Sequence, residues 1–259
     1  MNQAIPETID LLSRSLRLIQ HRDGHRATSD DQLLAWAACR AQPKALRVLD
    51  LGCGKGTVAL LLLRQLPGAR VMGIEALPVH HSLAVRNAEL NGLADRFQPL
   101  LGDLRDAELL RNEPPFELIC GAPPFMPLGS GLMPADPGRA VGRFEIRGGI
   151  EAYALTAARH LAPGGRVVLL MDGRQGDRTI KALRDAELHP RRRVVVRPRP
   201  AQKATYRLFE AAHEADSLIE EDLCLRGAVG SGWSPEYLAI RIALDLPVSS
   251  TRLSTGSSG

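Results

Sequence analysis

The sequence predicts an α/β fold, a largely parallel sheet of seven strands with helices on both faces. Two observations carry this. Short apolar runs alternate with stretches of helical periodicity through most of the chain, the pattern of a parallel sheet wound with helices. The first such run, Leu46 to Leu51, is followed by glycine at every second position, Gly52, Gly54 and Gly56, and then by the apolar helix opening Thr57-Val58-Ala59-Leu60. Strand, glycine turn and helix form the first unit of a nucleotide-binding sheet.

Taken in order, Pro6 to Leu18 spaces Ile9, Leu12 and Leu16 as a short helix would. A hairpin is expected to follow, from Leu16 to Gln20, turning at Arg22-Asp23-Gly24 and returning through His25 to Thr28, because Asp-Gly is a strong turn signal. A rival reading makes only the hairpin. Thr28-Ser29-Asp30 offers an N-cap for a helix over Asp31 to Ala41, which Pro43 ends. The core then alternates. Strands are expected at Ala45 to Leu51, Ala69 to Glu75, Arg96 to Leu101, Phe116 to Cys120 and Arg166 to Met171. Helices are expected at Thr57 to Leu66, Pro78 to Asn91, Leu104 to Arg111, Gly149 to Leu161 and Asp177 to Ala186, with Pro163-Gly164-Gly165 ending the fourth. A glycine- and proline-rich loop spans Gly121 to Gly142. Arg193 to Arg197 and Thr205 to Ala211 read as closing strands. The expected organisation is an N-terminal extension over 1–42, one domain over 43–247, and a Ser/Thr/Gly-rich stretch over 248–259 that reads as a disordered tail or a cloning remnant.

The 259 residues suffice for a full core. No apolar run approaches the ~20 residues that span a bilayer. The N-terminus lacks a charged-then-apolar targeting pattern. Cys39, Cys53, Cys120 and Cys224 are scattered, without a C-x-x-C pair, so neither a zinc site nor a disulfide framework is indicated and a reducing cytoplasm is expected. The net charge of +4 is local. Arg191 to Arg207 holds seven basic residues and no acid, and without it 26 basic residues face 29 acidic ones, a net of −3. Clustered positive charge is the electrostatic footprint of RNA binding, though a solvated hairpin surface would read the same way. Only Tyr206 and Phe209 lie near as stacking groups.

The chemistry concentrates at strand ends. Asp50 precedes glycines spaced G-x-G-x-G. An acid there would repel a phosphate and suits a cationic, amine-bearing cofactor, which argues against a nicotinamide dehydrogenase. Glu75 ends the second strand, where a carboxylate can accept both hydroxyls of a ribose; the bland alternative is a cap on the next helix. Asp103, in Leu101-Gly102-Asp103-Leu104, can accept from an adenine amino group with Leu104 against the ring, and can also N-cap a helix. Ala122-Pro123-Pro124-Phe125 follows the fourth strand, at the carboxyl edge where ligands bind. Consecutive prolines remove two N–H donors and leave carbonyls as fixed acceptors, while Phe125 offers an apolar plate. Cys53 reads as a packing or backbone contact and Lys55 as exposed at the cofactor mouth. His80-His81 reads as a solvated helix start without partners for a metal.

Asp50-Leu51-Gly52-Cys53-Gly54-Lys55-Gly56 with Ala122-Pro123-Pro124-Phe125 resembles the Rossmann-like class I S-adenosylmethionine-dependent methyltransferases that carry an Asn-Pro-Pro-Tyr/Phe motif. Ser29-Asp30-Asp31-Gln32-Leu33-Leu34 and Gly142-Arg143-Phe144-Glu145-Ile146-Arg147-Gly148-Gly149 extend the likeness to the bacterial tRNA(Val) adenine-N6 methyltransferase, small-domain group. It implies a terminal strand and a short Tyr-containing helix between Glu221 and Leu244. It implies S-adenosylmethionine held by Asp50, Gly52, Cys53, Gly54, Gly56, Glu75, Ala76, Asp103 and Leu104, catalysis over Ala122 to Phe125, and substrate contacts from Glu145, Arg147, Arg193 and Arg197. The implied substrate is an RNA base nitrogen. The chain departs at Ala122, where amine-methylating relatives carry Asn, Asp or Ser to hold the substrate amine. Losing one such acceptor can cost ~10²–10³ in rate. A small-molecule or protein substrate, or cofactor binding without turnover, is therefore an alternative expectation.

Overall fold

A computed structural model describes residues 6–24, 26–127, 129–132 and 142–248. The strands are β1 (Glu7–Leu11), β2 (Arg17–His21), β3 (Arg47–Leu51), β4 (Arg70–Glu75), β5 (Phe97–Leu101), β6 (Phe116–Gly121), β7 (Leu161–Asp172), β8 (His189–Arg197), β9 (Tyr206–Ala212) and β10 (Ile219–Cys224). The helices among the described residues are α1 (Ser29–Ala41), α2 (Thr57–Gln65), α3 (Pro78–Leu90), α4 (Ile150–His160), α5 (Gly176–Asp185) and α6 (Pro235–Ala243). The main sheet has the order β10-β8-β9-β7-β6-β3-β4-β5. Only β9 runs antiparallel to its neighbours. The seven expected strands form, and β10 is the eighth; with α6 it makes the terminal strand and Tyr-containing helix that the resemblance implied.

The strands are buried on both faces, which is why they read as continuous apolar runs. Val48, Leu118, Cys120, Val168 and Leu170 face one core with α1, α2 and α3. Leu49, Ile119, Val167, Leu169 and Met171 face the other with α4 and α5. Residues 57 to 63 of α2 are all buried, because α1 covers the side turned away from the sheet.

The N-terminus differs from expectation. Glu7–Leu11 is a strand, not a helix, and pairs with β2 from Glu7↔His21 to Leu11↔Arg17. The turn falls at residues 12 to 16, where the Ser13 hydroxyl accepts from the backbone N–H groups of Ser15 and Leu16. Such side-chain bonds to the backbone compete with helix formation. Arg22-Asp23-Gly24 ends β2 instead of turning the hairpin, and His25 lies outside the described residues. Asn87 on α3 and Asn91, which caps the end of that helix one turn later, explain why β2 sits where it does. Asn87 exchanges hydrogen bonds with Ile19 N–H and C=O (2.7 and 3.0 Å), and Asn91 does the same with Arg17 (2.9 and 2.8 Å). The helix expected over Leu104 to Arg111 is a succession of turns, and Asp103 and Asp106 side chains satisfy its N–H groups locally. β7 begins at Leu161, so Pro163-Gly164-Gly165 lies inside an irregular strand start, with a register shift opposite Phe116 and Leu118. Part of the loop expected over 121–142, and the tail beyond Val248, lie outside the described residues.

Candidate active site

The carboxyl ends of β3, β4, β6 and β7 open into a cavity of about 550 Å³. Asp50, Gly52, Cys53, Gly54, Glu75, Ala76, Asp103, Leu104, Ala122, Pro123, Pro124, Phe125 and Arg147 all line it. Gly56 stands behind the loop as the residue preceding α2, at φ +86°. Asp50 and Phe125, far apart in sequence, therefore share one cavity because parallel strands in register end on one edge.

The glycine turn is shaped from both sides. Gly52 adopts φ +67°, and a β-carbon there would lie 2.3 Å from the Tyr153 hydroxyl of α4. Gly54, at φ +57°, would meet nothing within 4 Å; its missing side chain leaves the loop backbone uncovered. Glu75 clamps this turn. One carboxylate oxygen accepts Gly54 N–H at 2.9 Å and the other Leu77 N–H at 2.7 Å. Each oxygen keeps capacity for a further bond. Burial raises the Glu75 carboxyl, against the pull of Leu77 and Gly54 N–H.

Asp50 is 2% exposed. Its register partner Cys120 donates its thiol to Oδ1 at 3.8 Å, while Oδ2 has no hydrogen-bond partner among the described residues. Burial, then the Asp31 charge, pushes Asp50 up to about 8. A buried orphan acceptor is costly to fold, and this one sits at the wall of a cavity where a cation would satisfy it. Cys53 is buried with its sulfur close against Gly73, a packing contact. Asp103 is held by Arg105 through two side-chain bonds (2.9 and 2.7 Å) and by Arg147 at 3.4 Å. The Arg105 guanidinium brings its carboxyl down to about 2.

The Ala122–Phe125 loop is anchored from the opposite side. Gln175, preceding α5, donates to the Phe125 carbonyl. Met126 exchanges backbone bonds with Arg143 C=O and Glu145 N–H, both 2.9 Å. Phe125 meets Tyr206 of β9 with ring centroids 6.1 Å apart.

Several expected residues stand elsewhere. Glu145 does not line the cavity; it forms a two-bond pair with Arg178 at 2.7 and 2.9 Å, which fastens the segment after Met126 onto α5. Arg193 pairs with Glu220 and Arg197 with Asp222, both on β10 and away from the cavity lining. Lys55 is buried, not exposed. Burial lowers its ammonium, while Asp31 and Asp30 pull the other way. His80 lines the cavity half-buried, and His81, also half-buried, bonds the Pro99 carbonyl at 3.2 Å, so both are only partly solvated. No cluster of three or more His, Cys, Asp or Glu suited to a metal occurs among the described residues.

Sequence reasoning missed four contributors. Asp30 and Asp31 line the cavity from the first turn of α1, where Asp31 accepts Thr28 N–H at 3.0 Å in a capping box. The cap was legible, but nothing local revealed that this helix start faces the β6 edge. Tyr153 and Tyr206 also line the cavity. Tyr153 is an isolated aromatic in an ordinary helix, and Tyr206 stood out only as a stacking group beside the basic stretch, so no sequence signal put either at the cavity. Burial raises both phenols, Tyr206 to about 12.

A family model described as a methyltransferase domain matches residues 48–126. A tRNA1(Val) (adenine(37)-N6)-methyltransferase of Porphyromonas gingivalis is 33% identical over 227 residues, 83% of this chain and 86% of that protein. A release factor glutamine methyltransferase of Geobacter sulfurreducens is 35% identical over 152 residues, 52% of this chain and 49% of its own length. A solved structure, a predicted O-methyltransferase from Agrobacterium tumefaciens, superposes with a TM-score of 0.63 at 21% identity, over 86% of this chain and all of that one; at that identity it speaks for the fold. The chain belongs to the family of S-adenosylmethionine-dependent methyltransferases that contains the tRNA1(Val) (adenine(37)-N6)-methyltransferases. It is a methyl-transferring enzyme, and S-adenosylmethionine is its cofactor. No described helix is long and apolar enough to cross a membrane.

Proposed function

We propose that the protein methylates a nitrogen of an RNA base, an adenine amino group being the foremost target, and works in the cytoplasm, where its four free thiols stay reduced. The observation that carries this reading is the extent of similarity. The tRNA-acting relative matches 83% of the chain, whereas the glutamine-acting relative matches 52%. Residues 43–247 form the methyl-transferring domain in this reading, and 1–42 add the α1 carboxylates to its cavity.

The bound cofactor supplies an already activated methyl group on a sulfonium. The chain's residues then have to bind, orient and exclude water. Asp50 Oδ2 takes the cofactor's ammonium, which meets its unfilled acceptor. Gly52 and Gly54 would let the backbone approach, Gly56 turns the chain into α2 against Phe97, Cys53 packs against Gly73, and Ala76 would stand with Glu75 on the ribose side. Glu75 accepts the ribose hydroxyls with its remaining lone pairs while it clamps Gly54. Asp103 and Leu104 take the adenine edge and face.

On the acceptor side, Phe125 with Tyr206 provides apolar plates for a flat base, and the carbonyls of Ala122 and its neighbouring prolines accept from the target amine. Asp30 and Asp31 are further acceptors lining the cavity, in a chain whose Ala122 side chain has none. Catalysis by this arrangement is alignment plus electrostatics. Arg147 touches the substrate as well as Asp103. Glu145 acts through Arg178 by holding the loop in place.

The test is transfer of labelled methyl from S-adenosylmethionine into unfractionated tRNA and rRNA, with nucleoside analysis of the product. Label in N6-methyladenosine that ribonuclease releases supports the proposal. Label only in protein or metabolites of an extract, or none at all beside measurable cofactor binding, overturns it.

A further inference from the structure

The stretch from Arg191 to Arg207 is uniformly basic in sequence but divides in two in the fold. Its strand half, on β8, is neutralised from the side. Arg191 pairs with Asp216 (2.6 Å), Arg192 with Glu210 and Glu221, Arg193 with Glu220, and Arg197 with Asp222 (3.0 Å). Four arginines meet five carboxylates, four of them on β10 or just before it. Glu221 also pairs with Arg40 and Glu210 with Arg166, so six arginines meet five carboxylates and little net charge is left over for a polyanion.

The loop half is different. Residues 198–205 join β8 to β9, and residues 225–234 join β10 to α6; together they contain Arg199, Lys203 and Arg226 and no acid. Arg199 bridges the two loops, donating to the carbonyls of Gly227 (2.7 Å) and Gly230 (2.6 Å). Arg226 donates to the Ser231 carbonyl and lies over the Trp233 ring, 4.1 Å from its centroid. Carbonyls and rings fix the direction of a guanidinium without cancelling its charge, and each guanidinium has donors to spare. Lys203 is exposed.

Topology puts these loops on the functional edge. β8 and β10 run parallel to one another, and β8 is antiparallel to β9, which is antiparallel to β7. The carboxyl ends of β8 and β10 therefore lie on the same edge as those of β7 and β6, beside Tyr206. With strands spaced ~4.8 Å, β10 stands about 19 Å along the edge from β6 and its Ala122–Phe125 loop. Three exposed arginines line the cavity, Arg143, Arg147 and Arg174, of which Arg147 pairs with Asp103 and Arg174 with Asp172.

We propose that the two loops 198–205 and 225–234 form the phosphate-binding dock for the RNA whose base enters the cavity, and that the β8 arginines do not. The inference rests on the RNA reading above and adds where the backbone of that RNA runs. Preset guanidiniums a few strands away from the reacting base suit a folded RNA, whose phosphates extend well beyond the target nucleotide.

The experiment measures binding of unfractionated tRNA by the full chain across a range of KCl, with methyl-transfer kinetics alongside. Lys203→Glu, on an exposed side chain, is expected to weaken binding about fivefold or more and to flatten the log–log salt slope by about 0.7–0.9, the share of one phosphate contact. It raises KM for RNA and leaves kcat and the Kd for cofactor unchanged. Arg199→Gln flattens the slope similarly, its folding being checked by the thermal midpoint. Arg193→Gln binds as wild type. The proposal is overturned if the loop variants bind like wild type, or if Arg193→Gln weakens binding as much as they do. Wild-type protein that methylates and binds neither tRNA nor rRNA overturns the RNA reading itself, a result visible before any variant is made.

Discussion

On the β3–β5 side of the cavity, one short stretch of chain does most of the work. The strand, the glycine turn and the start of α2 are contiguous from Arg47 to Thr57, and Glu75 reaches across to bond the turn's own backbone at Gly54. On the β6–β9 side the wall is a collection. The Ala122–Phe125 loop is held by Gln175 ahead of α5 and by the Arg143–Glu145 segment, faced by Tyr206 from β9, and accompanied by Asp30 and Asp31 from α1. The first side is built by local chemistry, left-handed glycines in one turn and an acid from the next strand that bonds the turn's backbone. The second depends on long-range packing, which can be altered piece by piece, and it is there that Ala122 departs from the motif.

The comparison can be broken most severely at Gly52. Gly52→Ala forces a β-carbon into the left-handed region and against the Tyr153 hydroxyl at 2.3 Å. Cofactor affinity should fall on the order of 100-fold, from about 1–2 kcal/mol of backbone strain plus the displacement of Tyr153. Calorimetry with S-adenosylmethionine reads this directly, and near-normal affinity would detach the glycine turn from the cofactor. On the other side, Phe125→Ala should lose the stacking of a base, ~1–3 kcal/mol, and so about 5–150-fold in kcat/KM for RNA. Its cofactor Kd should stay put; a parallel loss would mean the two walls are not separable.

Ala122→Asn sharpens the contrast by restoring a side-chain acceptor. We expect kcat on RNA to rise on the order of tenfold, with KM little changed, as befits an interaction aimed at the reacting amine. A fall would mean that other acceptors already fill that role.

The mildest effect concerns pH. Burial raises Asp50 to about 8, so the folded protein without cofactor holds a proton that the unfolded chain releases in the ordinary carboxylate range. The stability of that form therefore declines from this group as pH rises between that range and about 8. A cation bound at Oδ2 favours the carboxylate and expels the proton. Cofactor affinity should thus climb with pH, by at most about tenfold per unit, and level off above about 8. Calorimetry in buffers of different ionisation enthalpy should show proton release, absent in Asp50→Asn. Equal proton release by both proteins would assign it elsewhere.

Sequence by itself determined the alternation of strands and helices, the glycine turn and the acids at the ends of β3 and β4. Each is a local signal: apolar periodicity, left-handed backbone at glycine, a carboxylate closing a buried strand. It misread the N-terminus, where Ile9, Leu12 and Leu16 fit a helix but Ser13 turns the chain and Asn87 and Asn91 hold β2 to α3. Tertiary structure alone decided which charges survive. Lys55 looked exposed and is buried near Asp30 and Asp31, and the β8 arginines looked like a basic face until β10 came alongside with Glu220, Glu221 and Asp222. Charge is summed over neighbours in space, and in a parallel sheet those neighbours arrive from strands that are distant in the chain.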